Sequence, residues 1–232
     1  MSGKSAESRK TYILGEKDAS WCLIQAVDDH DSALLQAEYE QIRSMCGGER
    51  FVLAAFHTMS WNEELSPWPA DPVFGTEPFG GKASGTLEYV LEQFLPEVRR
   101  DWLGGSEDVK YVIGGYSLAG LFALWTSCQT DLFAGCAAAS PSVWFPGWLD
   151  YATEHPSRAQ RVYLSLGDKE EKTRNRIMRT VGDCIRTQAQ MLERNGTECL
   201  LEWNQGNHFR DADLRTAKAF AWCMRRQSDH ET

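Results

Sequence analysis

Residues 109–125 read VKYVIGGYSLAGLFALW: an apolar run passes through Gly114-Gly115-Tyr116-Ser117-Leu118-Ala119-Gly120 straight into a second apolar stretch. A serine on a sharp strand-to-helix turn has its hydroxyl pushed clear of the sheet, and small neighbours let strand and helix approach closely. The new helix also aims its first backbone N–H groups, and the positive end of its dipole, at whatever that hydroxyl attacks. The pattern therefore predicts Ser117 as a nucleophile and the Leu118 amide as an oxyanion donor. The strict form is G-x-S-x-G, and Ala119 stands at its last position, a difference of one methyl group. Two other readings compete: a buried serine that merely packs, and a glycine-rich cradle for phosphate. The second is weak, since neither G-x-x-x-x-G-K-S/T nor G-x-G-x-x-G is present.

A nucleophilic serine needs a base, and the base needs a group to orient it. Of the five histidines, His230 sits in the polar C-terminal stretch, His155 in a polar loop, and His30 and His57 precede the serine. His208 lies in WNQGNHFRDAD, just past the apolar run at 199–203, and is the candidate base. The acid is expected past another strand end, between serine and histidine. There RVYLSLGDKEEK, at 161–172, ends its apolar run in Gly167 and then offers Asp168, Glu170 and Glu171. Glu170, three residues past the glycine, is the first choice, Asp168 the second and Glu171 the third. The order Ser117, Glu170, His208, with gaps of 53 and 38 residues, is that of the α/β-hydrolases.

A second oxyanion donor is expected from the loop before the first crossover helix, Asp28-Asp29-His30-Asp31. The backbone N–H of Asp29 is taken for it, with Asp28 and His30 equally open. Carboxylates and imidazole are also good ligands for a hard metal ion. Contiguous residues on a rigid turn are expected not to converge on one ion, so neither a metal nor another cofactor is expected.

These groups need a frame that brings them to one edge. Short apolar runs alternate with stretches of helical period, the mark of an α/β protein: a mostly parallel sheet of about six to seven strands with helices on both faces. Strands are expected at Trp21–Val27, Phe51–His57, Val109–Gly114, Gly135–Ala139, Arg161–Leu166 and Cys199–Trp203, with Tyr12–Leu14 as a further edge strand. Helices are expected at 31–45, 84–102 (kinked or broken at Pro96), near 118–128, 173–194 and near 211–225. Two long connections, 58–83 and 141–158, are rich in aromatic residues and read as walls over a site. Trp61, Trp68 and Trp144 from these walls, with Tyr116, are expected to line an apolar pocket. One domain over 11–226, with polar tails at 1–10 and 227–232, fits the length.

Composition sets outer limits. The chain has 232 residues, 24 Lys+Arg against 33 Asp+Glu, and a net charge of −9. That balance argues against a nucleic-acid binder, which needs a basic face. No apolar run approaches the roughly 20 residues that span a bilayer. The polar start MSGKSAESRK does not read as a secretory signal. Seven cysteines without a C-x-x-C pair suit reduced, mostly buried thiols, so a cytoplasmic location is expected.

The runs GGYSLAGLFALW…FAGCAAASPSVWFPGW, VYLSLGDKEEK and EWNQGNHF resemble the putative-esterase family of α/β-hydrolases, which contains the enterochelin-type siderophore esterases. The resemblance spans about residues 20–225. It implies an α/β-hydrolase fold, a serine nucleophile at Ser117, a histidine base at His208 and a carboxylate at 168–171. WNEELSPW, at 61–68, is similar to a substrate-loop segment of the family that usually carries an arginine; here none stands between Arg50 and Arg99. That absence, with the acidic balance, argues against a polyanionic siderophore. The expected activity is hydrolysis of a small-molecule ester through an acyl-enzyme. The alternatives are a non-catalytic domain of the same fold that binds a ligand, and an acyltransferase using the same nucleophile.

Overall fold

A computed structural model describes residues 9–106 and 108–225. Its main sheet has seven strands in the order β1-β3-β2-β6-β7-β8-β9. They are β1 (Thr11–Gly15), β2 (Trp21–Val27), β3 (Phe51–His57), β6 (Lys110–Tyr116), β7 (Phe133–Ala139), β8 (Arg161–Gly167) and β9 (Glu198–Asn204). β1 runs antiparallel to β3, and every other pairing is parallel. The two-residue strands β4 (Pro69–Ala70) and β5 (Phe79–Gly80) form a separate small ribbon. The expected α/β class, strand count and parallel sense hold.

Parallel strands covered on both faces read as continuous apolar runs, and β2 and β8 are buried at every residue. Alternate side chains then enter two separate cores. Cys22, Ile24 and Ala26 of β2 face one core, with α2 (Trp61–Leu65), α3 (Ala83–Tyr89), α4 (Leu95–Asp101), α5 (Leu118–Gln129), α6 (Trp148–Glu154) and α7 (Val181–Arg194). Trp21, Leu23 and Val27 face the other, with α1 (Asp29–Met45) and α8 (Ala212–Met224). α8 lies close to the sheet: a Cβ added at Gly114 would fall 2.6 Å from the Phe220 ring.

Two expected helices differ in form. The 84–102 stretch is not broken at Pro96 but runs on as helix from Ala83 to Asp101. A π-helical turn at Val90–Phe94 joins α3 to α4, and the Leu95 N–H bonds to Val90 O, five residues back. The widened turn accommodates the ring and missing donor of Pro96 without ending the helix. The helix expected from residue 173 begins at Val181, after a 3₁₀ turn at Met178–Thr180. Asn175 explains the delay: its side-chain oxygen accepts from the N–H groups of Ile177 and Met178, and its amide reaches Val73 O.

The tail expected at 1–10 is corrected at its inner end. Lys10 O accepts from His57 N at 2.9 Å, and Arg9 pairs with Glu64 at 2.6 Å. The rest of that tail, and the tail at 227–232, lie outside the described residues. All seven cysteines are unpaired. Among the described residues no helix is long and apolar enough to cross a membrane.

Candidate active site

Ser117 stands between β6 and α5 with φ 57° and ψ −118°, a conformation costly for a residue with a Cβ. The turn is held from both sides. Ser117 N donates to Ala139 O, and Ser117 O accepts from Leu121 N and Ser142 N, at 3.1, 3.1 and 3.0 Å. Gly115, at φ +155°, makes the turn possible, since a Cβ there would fall 2.6 Å from the Cβ of Ala119. That contact also explains why alanine is tolerated where the pattern has glycine: its methyl group occupies the space that Gly115 leaves empty.

The structure brings Ser117, His208 and Glu170 together. His208 Nε2 lies 3.0 Å from Ser117 Oγ, and Nδ1 lies 2.7 Å from Glu170 Oε2. An ionised carboxylate can only accept, so Nδ1 carries the proton and Nε2 presents its lone pair to the serine hydroxyl. Burial works against an ionised Glu170. The hydrogen bond and charge of His208, the Gly167 N–H and the Ser140 hydroxyl outweigh it, and the carboxyl is held below its ordinary 4.5.

The glycine three residues before the acid has a steric reason. A Cβ at Gly167 would meet Gly206 O and approach Glu170 Oε1 to 3.0 Å, while the Gly167 N–H donates to that same oxygen at 2.7 Å. Asp168 does not reach the imidazole. Its Oδ1 accepts from Gly206 N at 2.7 Å and fixes the turn that leads to His208. Glu171 points away, 3.7 Å from Arg186.

Sequence reasoning missed Arg215, on α8. It is buried and donates through Nη1 to Glu170 Oε1 (2.9 Å), Tyr116 OH (3.0 Å) and Ser140 Oγ (3.2 Å). Its Nη2 reaches Asn207 O and Gln205 O, so one guanidinium ties Glu170 to the loop that carries His208. A single arginine on an amphipathic helix carries no motif, although its burial could be read from the helical period. Ser140, at φ 42°, donates to Glu170 Oε1 at 2.8 Å; it lies in the FAGCAAASPSVWFPGW run that carries the resemblance, but the sequence assigned it no role. Ser142 Oγ lies 3.5 Å from Ser117 Oγ. Tyr116 belongs to this frame: burial and then the Glu170 charge push its hydroxyl up to about 12, and it donates to His208 O at 2.8 Å.

Leu118 and Asp29 are the first residues of α5 and α1, so neither amide has an intrahelical acceptor. The Asp29 side chain is exposed and lies 3.1 Å from His57 Nε2. One expectation about this loop needs correction. Ligand atoms of Asp28, His30 and Asp31 do converge, all within 4.8 Å of one another, because the first turn of α1 folds the loop back. The Asp28 carboxylate is engaged there as the helix cap, accepting from Asp31 N at 2.8 Å.

A cavity of about 210 Å³ opens beside His208, lined among others by Ser140, Trp144, Lys169, Lys172 and Met178. Trp144 is on its wall, whereas the other three residues expected to line a pocket, Trp61, Trp68 and Tyr116, are not. The Tyr116 hydroxyl is turned to His208 O and Arg215. The indole N–H of Trp68 donates to Pro146 O, and its ring packs on Phe145 and Tyr151, while Trp61 packs against the larger core. The two aromatic-rich connections thus close on one another, with Phe79 touching Phe74, Trp144 and Phe145. Larger depressions of about 590 and 540 Å³, at 45–50 and between 91 and 111, include none of the site residues.

No family model matches the sequence, and no curated protein matches it. Solved structures do. An IroE-like serine hydrolase from Shewanella oneidensis superposes over 92% of this chain and 75% of its own, with TM-score 0.73 and 13% identity. The siderophore hydrolase EstA from Aspergillus nidulans covers 97% and 92%, with TM-score 0.71 and 20% identity. The enterobactin esterase FES from Shigella flexneri matches over 92% of this chain at TM-score 0.63 and 15% identity, and the chain spans 55% of its length. At these identities the likeness is one of fold. The chain has the α/β fold of the enterochelin-esterase-like serine hydrolases.

Proposed function

We propose that the protein hydrolyses carboxylic esters through an acyl-enzyme, with Ser117 as nucleophile, His208 as general base and Glu170 as orienting acid. The observation that carries this reading is the continuous chain from Ser117 Oγ through the His208 imidazole to a buried carboxylate, at 3.0 and 2.7 Å. The fold neighbours that are serine hydrolases and esterases support it. His208 Nε2 takes the hydroxyl proton as Oγ bonds to the ester carbonyl carbon. The oxyanion forms against the N–H groups of Leu118 and Asp29, each donor of this kind being worth about 3–4 kcal/mol in the transition state. Collapse breaks the bond to the alkoxy oxygen, which leaves with the proton from His208. Water, deprotonated by the same nitrogen, then releases the acid and restores Ser117. Glu170 keeps the imidazole in the required tautomer and stabilises its cation.

A fluorophosphonate probe mapped by mass spectrometry tests this directly. The label is expected on Ser117, with 4-nitrophenyl butyrate turnover lost in Ser117→Ala and the fold unchanged by circular dichroism. Turnover that survives in Ser117→Ala removes the assignment.

A further inference from the structure

Residues 169–179, KEEKTRNRIMR, hold five cations in a chain of net charge −9: Lys169, Lys172, Arg174, Arg176 and Arg179. All five are exposed, and none forms an ion pair with a described residue. The acids nearest in sequence are committed elsewhere: Asp168 to the Gly206 N–H, Glu170 to His208 and Arg215, Glu171 toward Arg186. Lys169, Lys172, Thr173, Met178 and Val181 all line the cavity beside His208, so the segment wraps around it. Val181 is also the first residue of the 14-residue α7, so the segment runs from the strand end at β8 to the start of that helix along the same wall. Glu170 lines the same cavity, but its carboxylate is buried and paired with His208 and Arg215, so the exposed charge on this wall is cationic. Exposed charge of one sign along a cleft concentrates ligands of the other.

We propose that this wall is an anion subsite and that the ester turned over at Ser117 carries a carboxylate, held by Lys169 and Lys172, with Trp144 and Met178 against its apolar part. The inference rests on the hydrolase reading above. It differs from a polyanion site: two flexible ammonium groups on a cavity of about 210 Å³ suit a single small anion.

The test compares esters that differ by one carboxylate. The kcat/KM for mono-4-nitrophenyl succinate is set against that for 4-nitrophenyl butyrate, after subtraction of spontaneous hydrolysis. The kcat/KM for 4-carboxyphenyl butyrate is set against that for phenyl butyrate, which places the charge on the alcohol arm. One acidic ester is expected to be favoured about three- to tenfold at low salt, the range for two partly exposed ion pairs. That preference should fall toward unity in 0.5 M NaCl and in the Lys169→Gln/Lys172→Gln double variant. Equal rates for both pairs, or a preference that survives the double substitution, overturn the subsite. Failure of the hydrolase reading shows differently, as turnover of neither butyrate ester by the native protein. Calorimetric titration of Ser117→Ala with the succinate mono-ester then still reads the subsite, as binding lost when both lysines are replaced.

Discussion

Three carboxylates stand within four residues after β8, and the structure separates them: Glu170 meets the imidazole, Asp168 caps the turn before it, and Glu171 faces Arg186. Glu170→Gln should therefore lower kcat by at least about a hundredfold, because an amide neither fixes the tautomer as strongly nor stabilises the imidazolium. Asp168→Asn should cost about tenfold or less, since His208 keeps its partner; steady-state kinetics on 4-nitrophenyl butyrate decide between them. Arg215→Lys should reduce kcat more than it raises KM. One ammonium cannot span Glu170, Tyr116, Ser140 and the carbonyls of Gln205 and Asn207 as the guanidinium fork does. At this scale the sequence pointed to the three side chains that the fold brings together, Ser117, His208 and Glu170, and assigned no role to the residues that hold them. Ser140 and Arg215 act through contacts 30 and 45 residues away, and no local spacing records such contacts.

Strand ends and helix starts supply what single residues cannot. Ser117, Glu170 and His208 follow β6, β8 and β9, and the parallel order of the sheet puts those ends on one edge. The turn after β6 depends on Gly115. Gly115→Ala should destabilise the fold by about 1–3 kcal/mol, from strain at a positive φ and overlap with Ala119, and should abolish activity by displacing Ser117. Urea unfolding and the ester assay on one preparation measure both. Helical period located α1, α5 and α8 to within about two residues. It failed over 173–180, where Asn175 bonds to the backbone ahead of it and to Val73 across the molecule.

On the scale of the whole molecule, two cores lie on opposite faces of the sheet, and a buried acid sits in the one beneath α1. Glu38 is 5% exposed, its two oxygens reached by a single donor, Gln25 Nε2. Burial first, and then the charges of Asp31 and Asp213, push its carboxyl from 4.5 up to about 8, against the bond from Gln25. The native state thus holds a proton that the unfolded chain releases near 4.5. The stability linked to that proton is fully present below 4.5 and is lost as pH rises toward about 8. Urea midpoints should fall across that window in the native protein and fall less in Glu38→Gln. The sequence by itself determined the alternation that makes a parallel sheet, the turn on which Ser117 stands, and the order in which Ser117, Glu170 and His208 follow their strands. Those are short-range facts, set by continuous apolar runs, by a helical period of 3.6 residues and by the steric demands of one turn. The tertiary structure decided which of three acids faces the imidazole and which aromatic side chains reach the cavity. It also decided that one buried arginine joins Glu170 to the loop that carries His208. Each of these depends on the distance between segments far apart in the chain, which sheet register and the closing of the two aromatic connections set.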